Sequence, residues 1–407
     1  MTGMRRWDLQ QCVAAAALVL LPMPALNFGV SLTFGDVLLV IAIALNLHEL
    51  TRLHSFQIPF LLAAPFFVVS TLVDPDSGVI ATLQAIYIWG FVLPFGWAAF
   101  TRLPGHVIAR CVLLSAAVNS AVAMGQGADL LPQIGKQKLV EFGSALQEAF
   151  NRAPGLALNC NTLVVALTPC FLALPYVRRP LNRAALMLMM FGGMASTLSK
   201  SVLLAVPGLL YYLRKDRARG RVLWHVAWLT MVVIGVGLYS GHAERVYDAF
   251  VNTLQRRTAS VDQSVDTRWH LINVALKHWA DCVVLGLGIE RSAALMMQDA
   301  GYTVHVLYLG LVIIGGVPAA VLQSLGMAWL CVKLWRVREI YFAGMLAEHM
   351  LACLLTTVLL LSFQSLPVMI AGALVVHTER LLMEAELRSR DKHGDARVGR
   401  VCVARAA

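Results

Sequence analysis

Charge is scarce in this sequence. Asp, Glu, Lys and Arg make up 14% of its 407 residues, against 58% hydrophobic, where a soluble domain carries about 25% charged residues. That excludes a soluble protein. Alternating strands of about ten residues are lacking too, which excludes an outer-membrane barrel. Paired cysteine motifs are missing: the eight cysteines, at 12, 111, 160, 170, 282, 331, 353 and 402, form no CxxC pair and no CxxC…HxxxH pattern. Neither a zinc site nor a disulfide framework is indicated, and the thiols read as small buried core residues. No clustered His/Asp pattern points to a metal, and no cofactor is expected. The net charge of +10 comes from short basic clusters between apolar runs. Membrane topology requires such clusters, so no nucleic-acid partner is implied.

What is present is a series of apolar runs near the length, about 20 residues, that spans a bilayer. They cover 12–30, 34–47, 57–73, 79–100, 106–124, 156–177, 184–213, 222–240, 306–332, 345–361 and 366–378. Arg5 and Arg6 before the first run resemble a signal-peptide start. The run continues through Pro22 and Pro24 to Val30 without a clear small-residue cleavage site, which predicts a retained helix. Residues 73–78 read as a turn. The run 184–213 is too long for one span, and 196–201 interrupts it with Lys200 as its only charge. It therefore reads as two short helices meeting at Lys200. The sum is an all-α polytopic membrane bundle of about twelve transmembrane helices, one integral membrane domain over 1–407. It carries a small loop at 125–154, a large helical loop at 241–305 and a charged tail at 379–407. Within the small loop Leu139, Phe142, Leu146 and Phe150 recur at helical intervals, as in an amphipathic helix along the interface.

Twelve helices put both termini on one side. The N-terminus, the loops near 48–56, 101–110, 178–183, 214–221 and 333–338, and the tail hold 23 of the 33 Lys and Arg residues. The positive-inside rule assigns that group to the cytoplasm. Lys200 and the loops 125–154 and 241–305 then face outward, into the periplasm if the membrane is a Gram-negative inner membrane. That compartment has no ATP, so chemistry there must use an activated substrate delivered by the membrane.

The outward side gathers cations. Lys200 in hydrocarbon would cost about 2.5–3.5 kcal/mol on the insertion scale; it either snorkels to the interface or meets an anion. Arg268 opens the stretch 267–279, in which Trp269, Ile272, Leu276 and Trp279 fall on one helical face. This predicts a helix lying against the bundle, with Arg268 either an interfacial anchor or a ligand. Arg256 and Arg257 are adjacent and cannot both face one site on a helix. Asp262 and Asp266 read as loop solvation. His305 stands at the start of the next apolar run. A lone histidine is usually structural, but its ordinary pKa of about 6.5 suits proton abstraction near neutral pH. Together these residues suit a lipid-linked diphosphate. Arg offers bidentate donors and Lys a point charge to the departing diphosphate, where another enzyme uses a metal. His305 deprotonates an acceptor hydroxyl.

The motifs also resemble those of a known family. Residues 152–161, with Gly155, Asn159 and Asn161, resemble the G-x-F-G-N-P-N signature of the O-antigen ligase and O-antigen polymerase superfamily (Wzy-C-type domain). Cys160 replaces its proline. Residues 197–201 resemble its T-x-S-R-G turn, with Lys200 where arginine is usual. Residues 267–288 resemble R-x-x-x-W…G-x-G, which places Arg268, Gly286 and Gly288. Residues 304–316 resemble H-N-x-Y-L…G-x-x-G, which places His305, with Val306 where asparagine is common. The resemblance implies a GT-C-like, metal-independent inverting glycosyltransferase. Lys200 and Arg268 would bind the undecaprenyl diphosphate, His305 would activate the acceptor, and Asn159, Asn161, Gly286 and Gly288 would support the site.

Within that superfamily the acceptor differs. A ligase moves the glycan to lipid A–core in lipopolysaccharide synthesis, and a polymerase moves it to another repeat unit. A protein glycosylase usually carries an added outer C-terminal domain, whereas the tail here is short. Ligation is the first expectation and polymerisation the alternative. A different class, a transporter with its site at the broken helices of 184–213, is a further alternative. For the enzyme, a groove open to membrane lipids is expected, because the polyprenyl chain leaves the membrane only at high cost.

Overall fold

The computed structural model describes residues 8–23, 33–128, 130–132, 153–157, 160–168, 170–197, 218–239, 272–274, 276–300, 307–336 and 365–380, with positions 206, 209–210, 213–214, 270 and 383. Among them helix is the regular structure. Three helices among the described residues are long and apolar enough to cross a membrane: Val79–Phe100, Gly105–Gly127 and Leu309–Trp335. We number the helices α1 (Leu9–Leu20), α2 (Phe34–Leu45), α3 (Gln57–Val73), α4 (Val79–Phe100), α5 (Gly105–Gly127) and α6 (Cys160–Leu167). They continue with α7 (Pro180–Ser196), α8 (Arg219–Tyr239), α9 (Ile289–Ala300), α10 (Leu307–Arg336) and α11 (366–380).

Apolar helices in hydrocarbon gain little by hiding from water, so they are held by close packing, which small residues permit. α10 lies along α3 in this way. A Cβ on Gly315 would stand 2.4 Å from the Phe67 ring, and one on Gly326 2.9 Å from Phe60. Phe67 stacks in turn on Trp89 of α4, with ring centroids 4.3 Å apart. Gly193 of α7 meets the Ser120 backbone of α5, and Gly96 and Gly372 bring α4 and α11 together around Met369 and Trp97. The outward surfaces are apolar. Val37, Val40 and Ile41 of α2 and Val321, Leu325, Trp329 and Val332 of α10 are 37–56% exposed. Continuous faces of this kind fit a bilayer better than water.

Charged side chains gather near the helix ends. At one end buried Glu49 takes Arg380 of α11 and, at 3.1 Å, His48. Lys333 of α10 reaches Glu379 at 2.7 Å, His54 stands 3.7 Å from that carboxylate, and Arg102 bonds Gln10 and His48. Burial lowers the His54 pKa, against the pull of Glu379. These residues come from stretches that the sequence assigns to one face, so the grouping by charge matches the grouping in space.

Several expectations change. The first helix stops at Leu20, because Pro22 has no N–H with which to continue the hydrogen-bond ladder. The run 156–177 is not one helix. It holds α6, a short turn of helix at Cys170–Ala173 and a 3-10 turn at Leu174–Tyr176 that contains Pro175. In the region 184–213, α7 ends at Ser196 with Thr197 as its C-cap, and the expected meeting of two short helices at Lys200 lies outside the described residues. Cys111, Cys160, Cys170 and Cys282 are buried thiols, whereas Cys12 is exposed. Residues 125–127 belong to α5. The amphipathic stretch 139–150, the run 345–361 and the tail beyond 383 lie outside the described residues.

Candidate functional site

α10 breaks where it passes the end of α3 opposite the Glu49 network. Gly316 adopts φ +87°, a conformation open to glycine, and Pro318 has no N–H. In an unbroken helix the Ile314 carbonyl would accept from residue 318 and the Ile313 carbonyl from residue 317. Both carbonyls are taken by the segment before α9 instead. Leu287 N–H donates to Ile313 O at 2.6 Å and Gly288 N–H to Ile314 O at 3.1 Å. A carbonyl freed inside a bundle must find such a donor.

Glycine makes this approach possible. A Cβ on Gly286 would stand 2.2 Å from the Ile314 carbonyl carbon. Gly286 N–H also donates to Ser70 Oγ at 3.0 Å. Gly288, at φ +77°, sits against the Ser70 carbonyl, which an added Cβ would approach to 2.9 Å. The structure thus gives these two expected supporting residues a concrete place. They dock residues 286–288 into the break of α10.

The residues that follow latch onto the turn between α3 and α4. Arg291 N–H donates to Asp74 Oδ2 at 3.1 Å, and Gly78 N–H donates to Glu290 Oε2 at 2.7 Å. Asp74 also accepts from Asp76 N–H at 3.0 Å and from the Ser77 hydroxyl at 2.8 Å. The Asp74-Pro75-Asp76 sequence therefore builds a turn.

The segment before the docking glycines packs differently from expectation. Val274 and Cys282 are buried with Leu287, Met296 and Ile313. Burial pushes the Cys282 thiol up to about 11, which leaves it unreactive. Leu276 and Trp279, expected on the face against the bundle, are 52% and 44% exposed. The smaller Val274 and Cys282 take the close contact, and the larger pair is left for the interface, where Trp is favoured. Trp269 lies outside the described residues.

A polar clasp joins this segment to the end of α9. His278 Nε2 is 3.1 Å from Asp299 Oδ2, and Lys277 Nζ is 3.8 Å from the same oxygen. His278 Nδ1 is 3.7 Å from Asp281 Oδ2, and His270 Nε2 is 3.3 Å from the Asp299 main-chain oxygen. The hydrogen bond from His278, aided by the Lys277 charge and opposed by desolvation, holds the Asp299 carboxyl below its usual range. The two carboxylates stand at opposite ring nitrogens of His278, so they cannot share one metal ion with it. Among the described residues no group of three His, Cys, Asp or Glu side chains could hold a metal.

His305, Lys200, Arg268, Arg256, Arg257 and Asn159 lie outside the described residues, as does the side chain of Asn161, whose backbone is in the first turn of α6. His270 follows Arg268 by two positions, and Asp299 precedes His305 by six. Gly155, at φ +60°, is held by the Gln126 amide, which accepts from its N–H at 2.8 Å and donates to its carbonyl at 3.2 Å. Leu156 N–H donates to Asn119 Oδ1 at 3.2 Å.

Sequence reasoning missed Asp74, Asn119, Gln126, His278, Glu290 and Asp299. Their partners are distant in the chain, 217 residues apart for Arg291 and Asp74, and no periodicity reveals such pairs. Asp299 carried one signal. An acid in the last turn of a helix opposes the helix dipole and so calls for a local cation.

No model of a known protein family matches this chain, and no curated protein matches it either.

Proposed function

We propose that the chain is a multi-pass inner-membrane glycosyltransferase of the O-antigen ligase and polymerase type. In this reading it has about twelve transmembrane helices, cytoplasmic termini and a periplasmic 241–305 loop. It moves a glycan from undecaprenyl diphosphate to an acceptor hydroxyl, with lipid A–core as the first acceptor and a second repeat unit as the alternative.

The clasp at Asp299 supports this reading most. It ties the chain just after Arg268 to the chain just before His305. Covalent geometry keeps Arg268 within about 7 Å of His270 and His305 within about 20 Å of Asp299 along the backbone. The proposed diphosphate ligand and the proposed base thus belong to two segments that are fastened together, beside a loop docked into the α10 break.

In the proposed reaction His305 takes the acceptor proton as the acceptor oxygen bonds to the anomeric carbon. The bond from that carbon to the phosphate oxygen breaks with inversion, and undecaprenyl diphosphate leaves with the electron pair. Arg268 and Lys200, with Arg256 or Arg257, offset the charge that appears on it. A broken helix is also a transporter feature. In α10, however, the freed carbonyls of Ile313 and Ile314 are occupied by Leu287 and Gly288, so this break is a seat for the loop.

Purified protein in liposomes, given an undecaprenyl-diphosphate glycan with and without lipid A–core, tests the proposal. Glycan on the core identifies a ligase, and longer lipid-linked chains without core identify a polymerase. Absence of both products contradicts the proposal.

A further inference from the structure

The start of α8 presents a basic and aromatic face that nothing in the protein neutralises among the described residues. Five of the eight residues at 214–221 are Lys or Arg, with one Asp. Arg214, Arg219 and Arg221 are exposed. Arg219 donates to the Leu213 carbonyl at 3.2 Å, and none of the three makes a salt bridge among the described residues. Lys333 and Arg380, by contrast, are matched to Glu379 and Glu49. No acid stands in the first turn of α8.

The residues that follow extend this face along the helix. Positions 221, 224, 228 and 231 recur on one side at helical spacing. Trp224 is 66% exposed, Trp228 49% and Met231 60%. Val222 is fully buried, and Val226 and Leu229 pack on the core from the other side. From Arg221 to Trp228 is a rise of about 10 Å. That order, guanidinium, indole, indole, thioether, follows the depth of a phospholipid from headgroup phosphate to acyl chain.

We propose that this face of α8 is a binding site for an anionic phospholipid, with Arg221 on the headgroup phosphate, Trp224 at the glycerol level, and Arg219, on the other side of the first turn, adding positive charge at the membrane surface. The charge selects the lipid. With α8 as a span, as in the proposed topology, a clustered basic surface at its end attracts anionic headgroups, and guanidinium groups pair with phosphate through two donors. The site does not depend on the proposed transfer reaction.

The test uses full-length protein in phosphatidylcholine nanodiscs containing brominated phosphatidylglycerol or, at equal mole fraction, brominated phosphatidylcholine. Tryptophan quenching is compared for wild type, Trp224→Phe and the double variant Arg219→Gln with Arg221→Gln. Each is first shown by circular dichroism and gel filtration to keep the wild-type fold. Wild type should be quenched more by the anionic lipid. The double variant should lose that preference, about fivefold for each guanidinium removed, and Trp224→Phe should lose the excess quenching. Arg219→Lys with Arg221→Lys should keep most of it, and inorganic phosphate should not compete. Equal quenching by both lipids, or a preference unchanged in the double variant, overturns the proposal. So does competition by inorganic phosphate.

Discussion

Gly286 and Gly288 separate close packing from mere flexibility. Alanine at 286 would put a methyl group 2.2 Å from a backbone carbon of α10, and alanine at 288 would have to adopt φ +77°. Gly105, by contrast, has nothing within 4 Å of an added Cβ. Gly286→Ala is expected to cost about 3 kcal/mol, seen as a lower thermal midpoint in detergent, while Gly105→Ala leaves the midpoint nearly unchanged. Asp299 gives a pH prediction. Its carboxyl is held below the usual value of 3.8. The contribution of its charge is therefore complete above that value and is lost as pH falls through the depressed one. Amide exchange over 270–282 should stay slow at neutral pH and quicken only in strong acid. Asp299→Asn should quicken it at neutral pH, through loss of the carboxylate that faces His278 and Lys277. At this scale the motif glycines were visible in the sequence, but what they touch was not, because Ile314 and Ser70 are distant in the chain.

The elements were legible where one apolar run makes one continuous α-helix, as in α3 and α5. They were less so where proline or glycine intervenes, since hydropathy averages over a break. The run 306–332 reads as a single span, yet Gly316 and Pro318 divide α10 and open the seat for residues 283–288. Pro318→Ala restores a donor for the Ile314 carbonyl. The helix then competes with Gly288 for that oxygen, and the docked segment should loosen. Limited proteolysis between 283 and 291 should be several-fold faster in Pro318→Ala than in wild type, with little change elsewhere. The helix around 276–279 shows a second reason for misreading. Periodicity identified the face of Leu276 and Trp279 but not its direction, because lipid interface and protein core both favour large apolar residues.

For the whole molecule, membrane character was readable from composition alone, and the grouping of basic loops anticipated which helix ends meet. The count of about twelve spans goes further than the three helices of the described structure that are long and apolar enough to cross a membrane and remains part of the proposal. Cysteines at Arg52 and Asp76, introduced singly into a cysteine-free background, test the sidedness. Arg52→Cys should react with an impermeant maleimide only from the cytoplasm and Asp76→Cys only from the periplasm. Labelling of both from one side contradicts the topology. Glu49→Gln leaves Arg380 without its carboxylate at a buried helix junction and should cost about 2 kcal/mol in stability, read from the thermal midpoint.

The catalytic claim is tested most directly by glycan transfer in liposomes, with His305→Ala and Arg268→Ala beside wild type. The proposal predicts product from wild type and at least a hundredfold less from His305→Ala, by loss of a general base, with donor still bound. Arg268→Ala should weaken donor binding and transfer together. Undiminished transfer in His305→Ala, or movement of the donor across the bilayer without transfer, would contradict it.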